Sequence, residues 1–225
     1  MEQKTILTVL QRKFLELVLK ESYLLKNYYW TGGTVLSEFY LHHRESYDID
    51  LFTERLEVDL PIISKFVGIV GKGLGAKEIS HTRYLGLQSF IITFKNNVKL
   101  KVDFNFYPFP RINLGKKWKG LDIDSLEDIA VNKIHTASMK PRARDFVDLY
   151  FLLQGKGGQE FTIGRLISLA KAKFDWHIEP VQLSENFAKV VTFTDFPKML
   201  VPFKEKDMEK YFLKLAKSMK KMIFK

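Results

Sequence analysis

Two aspartates stand at alternate positions of a short strand-like segment. Asp48 and Asp50 lie in the segment Tyr47 to Phe52, whose alternation places both carboxylates on one face and Ile49 and Leu51 on the other. Two neighbouring carboxylates repel each other unless a proton or a cation intervenes. Mg²⁺ takes oxygen ligands and usually keeps phosphate oxygens among its partners. The spacing therefore predicts a divalent-cation site that handles phosphate.

A glycine turn precedes this segment and suits the phosphate itself. Gly32 and Gly33 permit backbone conformations and close approaches that a residue with a Cβ resists, and Thr34 follows them. An apolar helix face comes next, made of Val35, Leu36, Phe39 and Tyr40. A helix N-terminus carries unpaired N–H groups and the positive end of the helix dipole, so it favours a phosphate. We therefore expect a phosphate cradle beside the two carboxylates.

The order of these features resembles a known signature. Gly-Gly-Thr followed by Asp48-Ile49-Asp50-Leu51 looks like the motif of the polymerase-β-like nucleotidyltransferase superfamily. With Arg44 and Ser46 ahead of the acids, the longer string is similar to one branch, the AbiEii/AbiGii toxin family. The resemblance implies that the two acids bind metal, that the Gly-Gly-Thr turn cradles phosphates and that Ser46 contacts the triphosphate. The alternative is an ordinary glycine turn and a strand with two solvent-facing acids.

A third acid lies on a later alternating segment, Val98 to Phe106. Its apolar set is Leu100, Val102, Phe104 and Phe106, and its polar set is Lys99, Lys101, Asp103 and Asn105. On pattern alone Asp103 is equally well an exposed edge residue. The resemblance implies another role, because the superfamily takes its third metal-site carboxylate from a strand beside the Asp-x-Asp strand. Asp103 is then expected to bind a second metal ion or to activate the acceptor hydroxyl.

The second informative stretch runs from Leu121 to Leu153. Lys133 lies inside an apolar helix stripe, where a lysine is costly unless it snorkels or meets an anion. The string Arg142-Ala143-Arg144-Asp145 and the following Asp148 resemble the second motif of the same toxins. By that resemblance Lys133 binds the triphosphate, and Asp145 orients the lysine or assists the chemistry. The alternative is a salt-bridged helix surface, which contributes little.

The elements that must position these residues are predicted from periodicity. An apolar stripe predicts one helix over residues 5 to 26, and a second helix runs from Leu60 to Val70. The glycines at 71, 73 and 75 favour a flexible turn after it, since their spacing matches no phosphate-binding motif. The five histidines show no metal-ligand or catalytic spacing.

The C-terminal part reads as helical. The glycine-rich stretch from Gly155 to Gly158 favours a division into a nucleotidyltransferase-like region, residues 1–155, and a helical region, residues 156–225. A final helix is predicted from about Glu205 to Phe224, with a lysine-rich face. That face is either solvated or an electrostatic surface for nucleic acid.

Composition limits the possible classes. Of the 225 residues 46% are hydrophobic and 28% charged, as in ordinary globular proteins, and the net charge is +10. This excess favours polyanionic partners, although only modestly. No apolar run approaches the roughly 20 residues that a membrane span needs, and the start lacks the features of a secretory signal. With no cysteine, disulfides and thiolate metal sites are excluded, and a cytoplasmic location fits.

Together these features predict an α/β (α+β) fold with a mixed β-sheet flanked by helices. The resemblance, which covers Trp30 to Leu153, implies transfer of a nucleoside monophosphate from an NTP, with Mg²⁺ or Mn²⁺ as cofactor. It further implies the toxin of a bacterial toxin–antitoxin or phage-defence pair, with an antitoxin partner and RNA, tRNA among the candidates, as acceptor. The alternatives are a protein-modifying (NMPylating) transferase and a catalytically inactive, basic nucleic-acid- or partner-binding protein.

Overall fold

The computed structural model describes residues 5–55 and 57–219. Within these ranges the chain forms two compact units. The first comprises residues 5–39, 46–110 (without 56) and 114–125, and the second comprises residues 40–45, 111–113 and 126–219. The main change from one unit to the other falls after Ser125. The expected division at residue 155 into a catalytic and a helical region stays a prediction.

In its described part the first unit contains four α-helices and seven strands. In chain order they are α1 (Val9–Val18), α2 (Ser22–Asn27), β1 (Tyr29–Thr31), α3 (Gly32–Leu36), β2 (Asp48–Thr53), α4 (Leu60–Gly73), β3 (Glu78–Tyr84), β4 (Leu87–Thr93), β5 (Lys99–Phe106), β6 (Lys117–Trp118) and β7 (Leu121–Ile123). A π-helical turn, Ser37–Leu41, directly follows α3.

The strands form a single mixed sheet in the order β3-β4-β5-β2-β1-β7-β6. β2 runs parallel to β5, and β1 runs parallel to β7, whereas the other neighbours are antiparallel. A mixed sheet in the first unit together with a helical C-terminal region confirms the predicted fold class.

The first helical stretch is two helices rather than the one predicted over residues 5 to 26. Thr8 and Gln11 form a capping box that starts α1, in which each side chain bonds the backbone N–H of the other residue. Glu21 then adopts an extended conformation, with φ −99° and ψ 100°, and separates α1 from α2. The apolar stripe continues across this break, so periodicity alone does not reveal it.

The predicted glycine turn after residue 70 is also wrong in extent. Gly71 and Gly73 lie within α4, which ends only at Gly73. The helix buries an apolar face made of Ile63, Phe66, Val67 and Val70. Packing of such a face outweighs the cost of about 1 kcal/mol that each helical glycine adds.

The core of the first unit follows the alternation of the central strands. Ile49 and Leu51 of β2 and Val102 and Phe104 of β5 are fully buried. Phe104 also meets the edge of Tyr28, with ring centroids 5.6 Å apart. The alternate residues of the same strands therefore face the opposite side of the sheet, where the acids stand.

The described part of the second unit is helical. Its helices are α5 (Leu126–Met139), α6 (Ala143–Leu153), α7 (Ile163–Phe174), α8 (Pro180–Ala188) and α9 (Glu205–Ser218). The predicted end of the last helix at Phe224 lies outside the described residues. No helix in the described ranges has the length and apolar character that a bilayer crossing requires.

An aromatic cluster forms the centre of this unit. Phe146 of α6 meets Phe212 of α9 edge to face at 4.8 Å, and Phe187 of α8 lies 5.2 Å from Phe212. Asn186, fully buried beside them, donates its amide to the carbonyls of Ala137 and Ser138. Aromatic burial and this satisfied amide together fix α8 against α5.

A fully buried ion pair between Asp128 of α5 and Lys173 of α7, at 2.7 Å, also holds helices of this unit together. Asp128 also accepts the backbone N–H groups of Ile112 and Asn113. Burial by itself raises the pKa of Asp128, but the Lys173 charge and these hydrogen bonds outweigh it and lower the pKa below its ordinary value. Asp128 therefore holds α7 and the segment 111–113 to α5.

Candidate active site

The register between β2 and β5 places the predicted acids side by side. Asp50 is the Cα partner of Asp103, and Asp48 is the partner of Lys101. Partners on adjacent strands point to the same face of a sheet. Asp48, Asp50, Lys101 and Asp103 therefore share the face opposite the buried Ile49 and Val102.

The glycine turn lies directly against the second acid. Gly32 has a φ of +83°, and a Cβ built on it would stand 2.0 Å from Asp50 Oδ2. Both the left-handed backbone and this contact exclude a side chain. The pairing of Thr31 with Asp50 between β1 and β2 brings the turn to this place.

The threonine after the two glycines is buried and engaged with the segment before β2. The Thr34 hydroxyl donates to the Asp48 carbonyl at 2.5 Å and lies 2.9 Å from the Ser46 hydroxyl. The Gln11 amide in turn donates to the carbonyl of Ser46 at 3.0 Å. These bonds tie the glycine turn, Ser46 and the start of β2 together.

A lysine lies among the acids of the first unit. The Lys101 ammonium is 2.5 Å from Asp103 Oδ2 and 3.7 Å from Asp48 Oδ2. The Ser89 hydroxyl donates to Asp103 Oδ1 at 2.6 Å, and Asp103 is only 6% exposed. Both oxygens of Asp103 are therefore engaged.

The pKa of Lys101 reflects these surroundings. Partial burial alone lowers the pKa of the ammonium group. The hydrogen bond to Asp103 and the negative charges of Asp103, Asp48 and Asp50 outweigh that effect, so the pKa of Lys101 lies above its ordinary value. The acids thus create a strongly negative local environment.

The donor set fits a hard divalent ion in chemical type. Carboxylate oxygens on neighbouring strands are the ligands that Mg²⁺ and Mn²⁺ accept. Asp103 and Asp48 already converge on a positive group, the Lys101 ammonium. In the described ranges, however, no three acid or histidine side chains are arranged as a formed metal site. A metal ion would therefore take ligands that Lys101 contacts in this structure.

The second predicted motif forms a charge cluster within the second unit. The Lys133 ammonium lies 2.9 Å from Asp145 Oδ1 and 2.6 Å from Asp148 Oδ2. Arg142 also bonds Asp145, through Nε at 3.0 Å. Lys133 is therefore held between two carboxylates of α6, and the predicted contact between Lys133 and Asp145 is present.

Asp148 is the centre of this cluster. Arg44 donates to it through two nitrogens, at 2.6 and 2.9 Å, and His43 Nε2 lies 2.8 Å from its Oδ1. Burial opposes ionisation of Asp148, yet the charges of Arg44 and Lys133 keep its pKa well below the ordinary value. The site residues inferred from sequence did not include Asp148. Its position three residues after Asp145 on one helix face was the available signal.

His43 is fully buried beside Asp148. Burial lowers the pKa of His43, and the neighbouring Arg44 and Lys133 charges add to that effect, while Asp148 opposes it. Similarly, burial raises the pKa of Asp145, but Lys133 and Arg142 outweigh it and lower the pKa. The cluster thus favours ionised carboxylates and a neutral imidazole.

The fold places the protein in a class of known structures. A structure from Helicobacter pylori, JHP933, aligns with a TM-score of 0.57 and 17% identity, over 95% of this chain and 90% of that one. A second H. pylori structure, of a protein assigned as a nucleotidyltransferase, aligns with a TM-score of 0.59 and 18% identity, over 95% and 92% of the two chains. At this identity the likeness establishes a shared fold and nothing further.

The family follows from the sequence as a whole. The model of the nucleotidyl transferase AbiEii toxins of type IV toxin–antitoxin systems matches residues 13–224, and the chain belongs to this family. A search of curated proteins finds no match to the chain. Membership confirms the resemblance drawn from the two motifs, and it implies an NTP substrate and a cognate antitoxin.

Proposed function

We propose that the protein transfers a nucleoside monophosphate from an NTP to a hydroxyl of an RNA, with tRNA among the candidates, in the cytoplasm. The acceptor oxygen forms a bond to the α-phosphorus, and the bond between that phosphorus and the bridging oxygen breaks. Pyrophosphate leaves with the electron pair, and the hydroxyl proton passes to a base. The observation that carries the proposal is the register pairing of Asp50 with Asp103 next to Gly32.

The residues of the first unit have distinct proposed roles. Asp48, Asp50 and Asp103 hold Mg²⁺ or Mn²⁺, which when bound neutralises charge on the phosphates. Asp103 alternatively accepts the proton of the acceptor hydroxyl. The backbone of Gly32, Gly33 and Thr34 cradles phosphate oxygens. Ser46 contributes its hydroxyl to the triphosphate.

The assignment of Lys133 to the triphosphate stays a prediction, as does that of Asp145 to orienting the lysine. Two carboxylates hold the Lys133 ammonium in a fixed position, and this supports the assignment. A fixed ammonium loses less freedom on meeting an anion than a solvated lysine does.

The basic charge of the chain supports a nucleic-acid acceptor. The net charge is +10, and α9 exposes Lys210, Lys214 and Lys217 on the side opposite its buried Met208 and Phe212. A protein acceptor and a catalytically inactive binding protein are the other outcomes that an experiment must separate.

Incubation of the purified protein with Mg²⁺ and each labelled NTP, with and without total RNA, separates three hypotheses: an RNA acceptor, a protein acceptor and a catalytically inactive binding protein. Label in RNA is the expected result. Label in protein would replace the RNA acceptor by a protein acceptor, and absence of label with retained RNA binding would replace the enzyme by a binding protein.

Variants then test the site. Asp50→Asn and Lys133→Ala are each expected to lower transfer by a factor of about 10² or more, because charge stabilisation at the phosphates is lost. Glu78→Gln, an exposed acid at the edge strand β3 of the same sheet, is the matched control. Unchanged turnover in both site variants, with folding verified by circular dichroism, would overturn the assignment.

A further inference from the structure

Lys101 occupies the centre of the carboxylate group in the first unit. Its ammonium bonds Asp103 at 2.5 Å and lies 3.7 Å from Asp48, and Asp50 also adds to the negative potential around it. The strand register explains this position, because Lys101 is the direct partner of Asp48 and stands two residues before Asp103 on the same face.

This arrangement differs from that of an ordinary strand lysine. A lysine side chain normally extends its ammonium into water and lays its stem along the surface. Lys101 is instead only 38% exposed and turns back onto acids of its own sheet face. Ser89 holds the other oxygen of Asp103, so the carboxylate is oriented toward the lysine.

We propose that the Lys101 ammonium competes with the divalent metal ion for Asp103 and Asp48, so that metal binding requires this side chain to swing away. The inference rests on the proposed function, because it assigns the same acids to the metal. A divalent ion and an ammonium within about 4 Å of the same oxygens repel each other strongly. The flexible four-carbon stem of lysine allows the displacement.

The competition has a measurable consequence for affinity. In the metal-free protein the Lys101 ammonium already neutralises part of the negative charge of the acids. The free energy of metal binding is therefore less favourable than it would be for carboxylates without this ammonium. Removing the ammonium while keeping the apolar stem removes this competition. Lys101→Met does so, and Lys101→Arg retains a positive charge at the same position.

The test is a titration of the intact protein with Mn²⁺, in which electron paramagnetic resonance measures the concentration of the free ion. We expect Lys101→Met to bind Mn²⁺ about tenfold more tightly than the unsubstituted protein, and Lys101→Arg to remain weak. Lys99→Met is the matched control, because Lys99 is exposed on the same strand and face and its loss changes the net charge equally. Lys99→Met is expected to change the affinity by no more than about twofold. Thermal melts verify that each variant is folded.

The outcomes distinguish the inference from the proposed function. If Lys101→Met and the unsubstituted protein give the same curve while Asp50→Asn loses binding, competition by Lys101 is wrong and the metal site stands. If Lys99→Met tightens binding as much as Lys101→Met, the effect is general electrostatics and the inference is overturned. If neither the unsubstituted protein nor Lys101→Met binds Mn²⁺, the proposed metal site itself is wrong.

Discussion

The carboxylate of Asp50 lies against the α-carbon of Gly32, with an oxygen 2.0 Å from where a β-carbon would stand. The same glycine has a left-handed backbone, with φ +83°. The position of Asp50 therefore requires a glycine at residue 32, and the motif glycine has a steric reason that is independent of phosphate binding.

Gly32→Ala is accordingly expected to lower both stability and transfer activity. A left-handed alanine costs about 1–2 kcal/mol, and the steric displacement of Asp50 by the new Cβ adds about 1–3 kcal/mol. Gly75→Ala is a close control, because the φ of Gly75, +81°, is nearly the same and a Cβ there would meet nothing within 4 Å. Urea denaturation measures the free energy of unfolding of both variants. Equal losses of unfolding free energy would show that the contact with Asp50 carries no cost.

Asp148→Asn is expected to destabilise the second unit strongly. It leaves Arg44 and Lys133 without the carboxylate that both contact, and removing one partner of a buried ion pair costs about 3–5 kcal/mol. Asp195→Asn, at an exposed aspartate, is the control and is expected to stay within about 0.5 kcal/mol. Chemical denaturation checks the difference, and a loss no larger than that of the control would contradict it.

The Asp128–Lys173 pair is expected to be strongly coupled. Lys173→Met removes the buried cation that the Asp128 carboxylate contacts at 2.7 Å, at a cost of about 3–5 kcal/mol. Adding Asp128→Asn removes the stranded charge, so the double variant is expected to lose less than the sum of the single ones. A double-mutant cycle measures this coupling. Strict additivity of the two losses would show that the pair is not coupled.

Stability is expected to fall as the pH drops below about 6.5, the ordinary histidine pKa. Burial lowers the pKa of both His43 and His135, and His135 stacks on Phe174 at 4.2 Å. Between the lowered pKa and 6.5 the unfolded chain binds more protons than the folded one, so acid favours unfolding. Urea unfolding at several pH values measures the slope.

His135→Gln is expected to reduce this dependence of stability on pH, because it removes one of the two imidazoles whose pKa is lowered, the half-buried one. The same substitution at the exposed His177 is the control for loss of a histidine. An unaltered slope in His135→Gln would exclude His135 as a source of the pH dependence.

Local patterns predicted the strands well, because alternation is a property of neighbouring residues. The polar and apolar faces expected for Val98 to Phe106 match β5, which runs from Lys99 to Phe106. Alternation also placed Asp48 and Asp50 on one face. The polar set of β5 contained Lys101, but its closeness to Asp48 depends on pairing between strands about fifty residues apart in sequence.

Long-range contacts explain what sequence reasoning missed. Arg44 and His43 meet Asp148 across more than a hundred residues, and no local spacing indicates such a contact. The break at Glu21 was missed because the apolar stripe crosses it, and the helical Gly71 was missed because burial of α4 overrides glycine propensity. Tertiary packing decided each of these features.

The parallel pairing of β2 with β5 makes both the proposed chemistry and correct folding depend on a single strand register. A slip of one residue would move Asp103 to the apolar face of the sheet and Val102 to the face of the acids, so the burial of Val102 and Phe104 also selects the face on which the acids lie. A chain with this shifted register would expose apolar side chains and bury a carboxylate among them. We therefore expect the proposed transfer activity to require the native register of β2 and β5.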